Sequence, residues 1–97
     1  MSKFDQAKML MKIKKVQKEL QKQIIVVERG DGAVKVEITA EQKLKHISID
    51  PDAIDIDDIG VLERWLEEAV KEAMSESQKI AAEKMQPFMS ALGDLGL

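Results

Sequence analysis

Five aspartates fall within nine residues, at Asp50, Asp52, Asp55, Asp57 and Asp58. Acids so closely spaced are the usual raw material of a cation site. The register Asp55-x-Asp57-x-Ile59-Gly60 opens like a calcium-binding loop, glycine included. It breaks at the fifth position, Ile59, and at the twelfth, where Leu66 replaces a bidentate glutamate. Acids ahead of a helix also cap its free amides and complement its dipole without any ion, so no metal is expected. His46, the sole histidine, reads as an outward strand residue beside Lys45 rather than a base or ligand. The five serines sit in no nucleophile elbow or triad context. Gly30-Asp31-Gly32 lacks the Lys-Ser/Thr of a phosphate-cradling loop, and Glu67, Glu68 and Glu72 read as a solvated helix face. With no cysteine there is no thiol nucleophile, thiolate metal site or disulfide. Neither catalysis, nor a cofactor, nor a small-molecule substrate is expected.

The cations are arranged differently. Lys3, Lys8, Lys12, Lys14, Lys15, Lys18 and Lys22 crowd into the first 22 residues, opposed there only by Asp5 and Glu19. That segment carries +5 in a chain of net charge -3, so the remainder sums to -8. A local basic field attracts polyanions whatever the net charge. At about 100° per residue, Met9, Ile13, Val16, Leu20 and Ile24 form one buried stripe. Lys8, Lys15, Lys18 and Lys22 fall opposite, with Lys12 and Lys14 on the flanks. A merely solvated helix face mixes both signs for i,i+4 support, and this one is almost purely cationic. Only Phe4 supplies an aromatic ring there, so phosphate-backbone contact is favoured over base stacking.

These residues must be positioned by a short series of elements. Ninety-seven residues make one domain, expected to be α+β: a helix, a three-stranded antiparallel sheet and a long helix. The basic helix is expected over residues 4–23 and the sheet over 24–50. Ile24 to Glu28 is β-branched, Asp31-Gly32 signals a hairpin, and Val34, Val36 and Ile38 alternate with polar residues. In the third strand Ile47 and Ile49 point inward. The turn at Glu41-Gln42 has no Gly or Asn to define its geometry. Asp57 or Asp58 caps a second helix over 58–86, which Pro87 is expected to end. The tail, 87–97, is expected to be mobile, with Leu92, Leu95 and Leu97 available for docking. A helix of that length spans about 40 Å, whereas a compact domain has a radius of gyration of about 13 Å. The helix should therefore protrude and meet a second copy of the chain, with Val34, Val36, Ile38, Leu62, Trp65 and Leu66 at the dimer interface. No apolar run approaches the roughly 18 residues of a membrane span, and the lysine-studded start is unlike a signal peptide. A soluble intracellular protein is expected.

Several strings resemble the YbaB/EbfC family of bacterial nucleoid-associated proteins. They are Leu10-Met11-Lys12 through Val16-Gln17-Lys18, Gly30-Asp31-Gly32-Ala33-Val34-Lys35-Val36, Ile47-Ser48-Ile49-Asp50-Pro51, and Leu62-Glu63 with the Ala-rich stretch to Met85. The resemblance covers nearly the whole chain. It implies a tweezers-like homodimer with strands in the body and helices as projecting arms, binding duplex DNA in the nucleoid with little sequence preference. The DNA-contacting residues expected are Lys3, Lys8, Lys12, Lys15, Lys18 and Lys22, joined by Lys79 and Lys84 if the two helices pack antiparallel. The alternative is a protein-interaction or scaffold module that docks an acidic or helical partner.

Overall fold

The computed structural model describes the backbone of residues 3–94 and the side chains of residues 3–90. The order is α1 (Lys3–Lys22), β1 (Ile24–Arg29), β2 (Val34–Thr39), β3 (Leu44–Ile49) and α2 (Ile59–Asp94). The strands form one antiparallel sheet in the order β1-β2-β3. The expected architecture is therefore present, and the strand boundaries follow the β-branched and alternating runs.

The β1–β2 hairpin turns at Gly30, Asp31 and Gly32, all with positive φ, and closes through Ala33 N–H donating to the Gly30 carbonyl at 3.1 Å. Asp31 tolerates that backbone as few non-glycine residues do. Gly30 has a second constraint, because a Cβ there would stand 2.8 Å from the Trp65 ring. The β2–β3 turn is held from outside. Gln42 adopts φ 67°, and its N–H donates to Ser77 Oγ at 3.0 Å. Ser77 in turn donates to the Thr39 carbonyl at 2.8 Å. A buried serine on α2 thus fixes a turn that carries neither glycine nor asparagine.

Across the sheet, Val27, Val34, Val36 and Ile38 are buried against Ala69 and Ala73 of α2, with Ile25, Leu62, Trp65, Leu66, Val70 and Met74 packed around them. Ala69, Ala73 and Ser77 recur every four residues, one face of the helix, and their small side chains let α2 lie close to the strands. Arg29 at the end of β1 reaches α2, 2.8 Å from Glu72 and 3.7 Å from Glu68.

α2 lies over β1 and β2 and scarcely touches β3. Ile49 and Ile47 pair with Val34 and Val36, sharing the helix-facing side as the alternation implies, and a register shift between Glu37 and Ile38 brings Leu44, which strict alternation would turn to the other face, opposite Ile38. None of the described residues covers them, and they remain exposed by 41%, 37% and 55%. Val34, Val36 and Ile38, expected at a dimer interface, are instead buried beneath α2 of their own chain. They have no area to offer a second copy; Leu62, Trp65 and Leu66 are half-buried around the same core.

α2 continues through Pro87 to Asp94, a correction to the expected stop near Gln86. Proline removes one i→i−4 hydrogen bond. Pro87 is on the exposed side, where the freed carbonyl one turn back can turn to water, while half-buried Met85 and Phe88 keep the packed side intact. Residues 87–94 of the expected mobile tail are thus helical. Leu95 and Leu97 lie outside the described residues, as does the side chain of Leu92. At 36 residues the helix is about 54 Å long, and the molecule measures 64 × 21 × 15 Å with a radius of gyration of 18.6 Å. No helix among the described residues is long and apolar enough to cross a membrane.

Candidate nucleic-acid interface

Beyond Ser77, α2 leaves the sheet and runs beside α1 as a two-helix arm. α1 descends this arm toward the sheet and is anchored there, where Ala40 N–H donates to the carbonyls of Leu20 and Gln23 at 3.1 and 3.0 Å. Leu20 is buried, and Met9, Ile13 and Val16 are half-buried, as are Ile80, Ala81, Met85 and Phe88 on α2. The stripe expected from helical phase is therefore the side of α1 that meets α2. Ile24, assigned to the same stripe, belongs to β1 and is exposed.

The opposite side of α1 is solvent-facing along its length. Lys3, Lys8, Lys12, Lys14, Lys15, Lys18 and Lys22 are all exposed. The ion pairs among the described residues join body groups: Arg29 with Glu68 and Glu72, Lys43 with Glu41 at 3.2 Å, and Lys71 with Glu67 at 2.7 Å. The lysines of α1 enter none of these. Met11, Lys14, Lys15 and Lys18 line a shallow open depression of about 280 Å³. Lys8 Nζ sits 5.0 Å from the centroid of the Phe4 ring, a cation–π distance.

Lys79 and Lys84 on α2 are both exposed. Lys79 lies two residues past Ser77, at the base of the arm, about 180° in helical phase from half-buried Phe88, and Lys84 lies one turn before Phe88, about 40° from it in phase. The residues that phase reasoning passed over are Lys14 and Met11. Lys14 was treated as a flank residue, yet it borders the same depression as Lys15 and Lys18. Met11 stands about 160° from Met9 in phase, which already puts it among the lysines.

The aspartate segment has a structural role. Asp50 and Asp55 side chains accept from the backbone N–H of Asp52 and Asp57 at 3.0 and 2.9 Å, the Asx-turn geometry that leads a chain through tight bends. Asp58 directly precedes α2, and its carbonyl accepts from Val61 N–H at 3.2 Å. Among the described residues no group of three or more His, Asp or Glu side chains converges as a metal site would. The resolved titration shifts belong to Glu67, pulled below the ordinary carboxylate range by its hydrogen bond and charge contact with Lys71, and to Lys71, raised by the same contact. Both lie on exposed helix surface within the body.

Residues 1–92 match the YbaB/EbfC DNA-binding family. Similar curated proteins include a nucleoid-associated protein of Chloroflexus aurantiacus, 34% identical over 86% of this chain and 83% of its own length. Another, from Rhodopseudomonas palustris, is 36% identical over 89% of this chain and 82% of its own. A third, from Ruminiclostridium cellulolyticum, is 32% identical over 91% of this chain and 76% of its own. Among solved structures, a Helicobacter pylori protein superposes with a TM-score of 0.76 at 14% identity, over 86% of this chain and 87% of that one. That likeness is one of fold.

Proposed function

Since the chain belongs to the YbaB/EbfC DNA-binding family, we propose that it is a nucleoid-associated homodimer gripping the phosphate backbone of duplex DNA with the lysines of α1. Binding has little sequence preference, because phosphates position a protein without reporting sequence. It is a non-enzymatic DNA-binding protein, working in the cytoplasm at the nucleoid. The observation that carries the α1 assignment is a cationic face of seven exposed lysines that enter none of the ion pairs among the described residues. Lys3, Lys8, Lys12, Lys15, Lys18 and Lys22 are the contacts, with Lys14 added by its place in the depression. Lys79 and Lys84 contribute only to the general field of the arm.

Support for the homodimer comes from the uncovered row Leu44, Ile47 and Ile49. This row continues the apolar face of the core, and monomeric proteins seldom leave such a face open. A second copy seated there, with half-buried Leu62 nearby in the core surround, places two cationic arms on one particle. Doubling the ridge gives up to about a dozen cations, and half of them on phosphates predicts a log-log salt slope of about -5.

The test is fluorescence anisotropy of two unrelated labelled duplexes at 50 and 200 mM salt, with Lys15→Glu/Lys18→Glu alongside. Similar affinity for both duplexes, a steep loss with salt and collapse in the variant are expected. No binding at 50 mM would overturn the DNA reading and favour an acidic protein partner.

A further inference from the structure

Two apolar side chains stand where a purely electrostatic surface needs none. Met11 is 71% exposed and Phe4 68% exposed, and both project from the cationic side of α1 rather than the side packed on α2. Seven residues apart, they share almost one azimuth and lie about 10.5 Å from each other along the axis. Lys8 and Lys15 stand about 40–60° to one side of Met11, and Lys3 and Lys14 about 60–80° to the other. The two acids of α1 are further round on the Lys8 side, Glu19 by about 80° and Asp5 by about 120°. Over residues 3–15 the helix thus presents an apolar crest between two cationic flanks, with Leu10, 60% exposed, beyond Lys3 and Lys14; further along, Lys18 and Lys22 continue the crest within about 20° of Met11.

That cross-section suits one shape of polyanion. A helix about 10–12 Å across enters a major groove about 12 Å wide. Its flanks then face the phosphates of both walls, and its crest faces the base edges. The apolar feature on those edges is the C5-methyl group of thymine. The spacing of Phe4 and Met11 corresponds to about three base-pair steps. The side of α1 that packs on α2 points out of the groove, so the second helix does not obstruct entry.

Building on the DNA reading above, we propose that α1 seats in the major groove with Met11 and Phe4 against thymine methyl groups. The protein then carries a modest preference for thymine-bearing steps on top of its backbone affinity. Met, flexible and polarisable, suits contacts that vary from site to site.

Exchange of thymine for uracil removes the methyl and keeps base pairing and phosphates. Two otherwise identical duplexes, one with thymine and one with uracil throughout, are titrated by anisotropy at 50 mM salt with the wild-type chain and with Phe4→Gln/Met11→Gln. Both substituted side chains are exposed, and circular dichroism confirms the fold. The wild type is expected to favour the thymine duplex by about three- to five-fold for each methyl covered. The variant should bind both duplexes alike, with the wild-type salt slope. Indifference of the wild type to the exchange, with salt-sensitive binding intact, would overturn the methyl contact and leave the backbone reading standing. A thymine preference that persists in the variant would also overturn it, since the preference would then reflect duplex shape. Failure to bind either duplex defeats the DNA reading itself.

Discussion

The arm and the body of this molecule are built on opposite electrostatic plans. The body, residues 23–77, carries fourteen acids against six basic residues, and several of these charges are paired within it. In the arm, α1 carries +5 and the 78–94 segment of α2 is neutral, with Lys79 and Lys84 against Glu83 and Asp94. The packing differs as well. The body has one helix, α2, pressed on a sheet, with small residues at the contact and side-chain hydrogen bonds fixing a turn. The arm has two helices joined along a single, mostly half-buried stripe. Stability therefore resides in the body, and the charge that folding does not consume is left on the arm. A partner of opposite charge meets the arm first, and the acidic body repels the same partner. This arrangement orients a polyanion as well as attracting it.

Substitutions that separate the two regions test this division, and the largest stability effect belongs in the body. Gly30→Ala forces a side chain into positive φ and against the Trp65 ring. It should cost about 2–4 kcal/mol, lowering the melting temperature by some 10–20 °C, while DNA affinity per folded molecule stays unchanged. An equal loss of affinity would show that arm and body are coupled. Next is Ile47→Glu, which places a charge in the uncovered β3 row. Sedimentation velocity should find a monomer with wild-type helix content, and the salt slope on DNA should fall by about half. A persistent dimer would relocate the subunit contact. The smallest effect concerns Glu67 and Lys71. The lowered carboxyl pKa means that its contribution is present above the ordinary value of 4.5 and is lost as pH falls through the lowered one. The raised lysine contributes below 10.5 and loses that contribution as pH rises past its raised value. The pair is exposed and screened, so thermal melts of Glu67→Gln should match wild type. An NMR titration should show the Glu67 carboxyl returning to its ordinary range in Lys71→Met.

Local rules carried most of the element assignment. β-Branched runs, the Asp-Gly turn and the stripe on α1 each rest on neighbours within a few residues, and each appears in the structure. Pro87 shows where a local rule yields. Its cost is one hydrogen bond on an exposed side, and packing on the other side carries the helix onward. The candidate interface was legible in part: the lysine phase keeps those side chains exposed along α1, while the place of Lys79 relative to them depends on the register between the two helices, a tertiary property.

Sequence alone determined the segregation of charge and the strand–turn–strand order, because these depend on residue types and short-range periodicity. Tertiary structure decided which apolar faces are spent. α2 covers β1 and β2, burying Val34, Val36 and Ile38 and leaving Leu44, Ile47 and Ile49 open. α1 turns Met9, Ile13 and Val16 inward and leaves Met11 and Phe4 among the lysines. The physical reason is common to both. Alternation and helical phase state which side chains share a face, and only the docking of one element on another determines whether that face is covered.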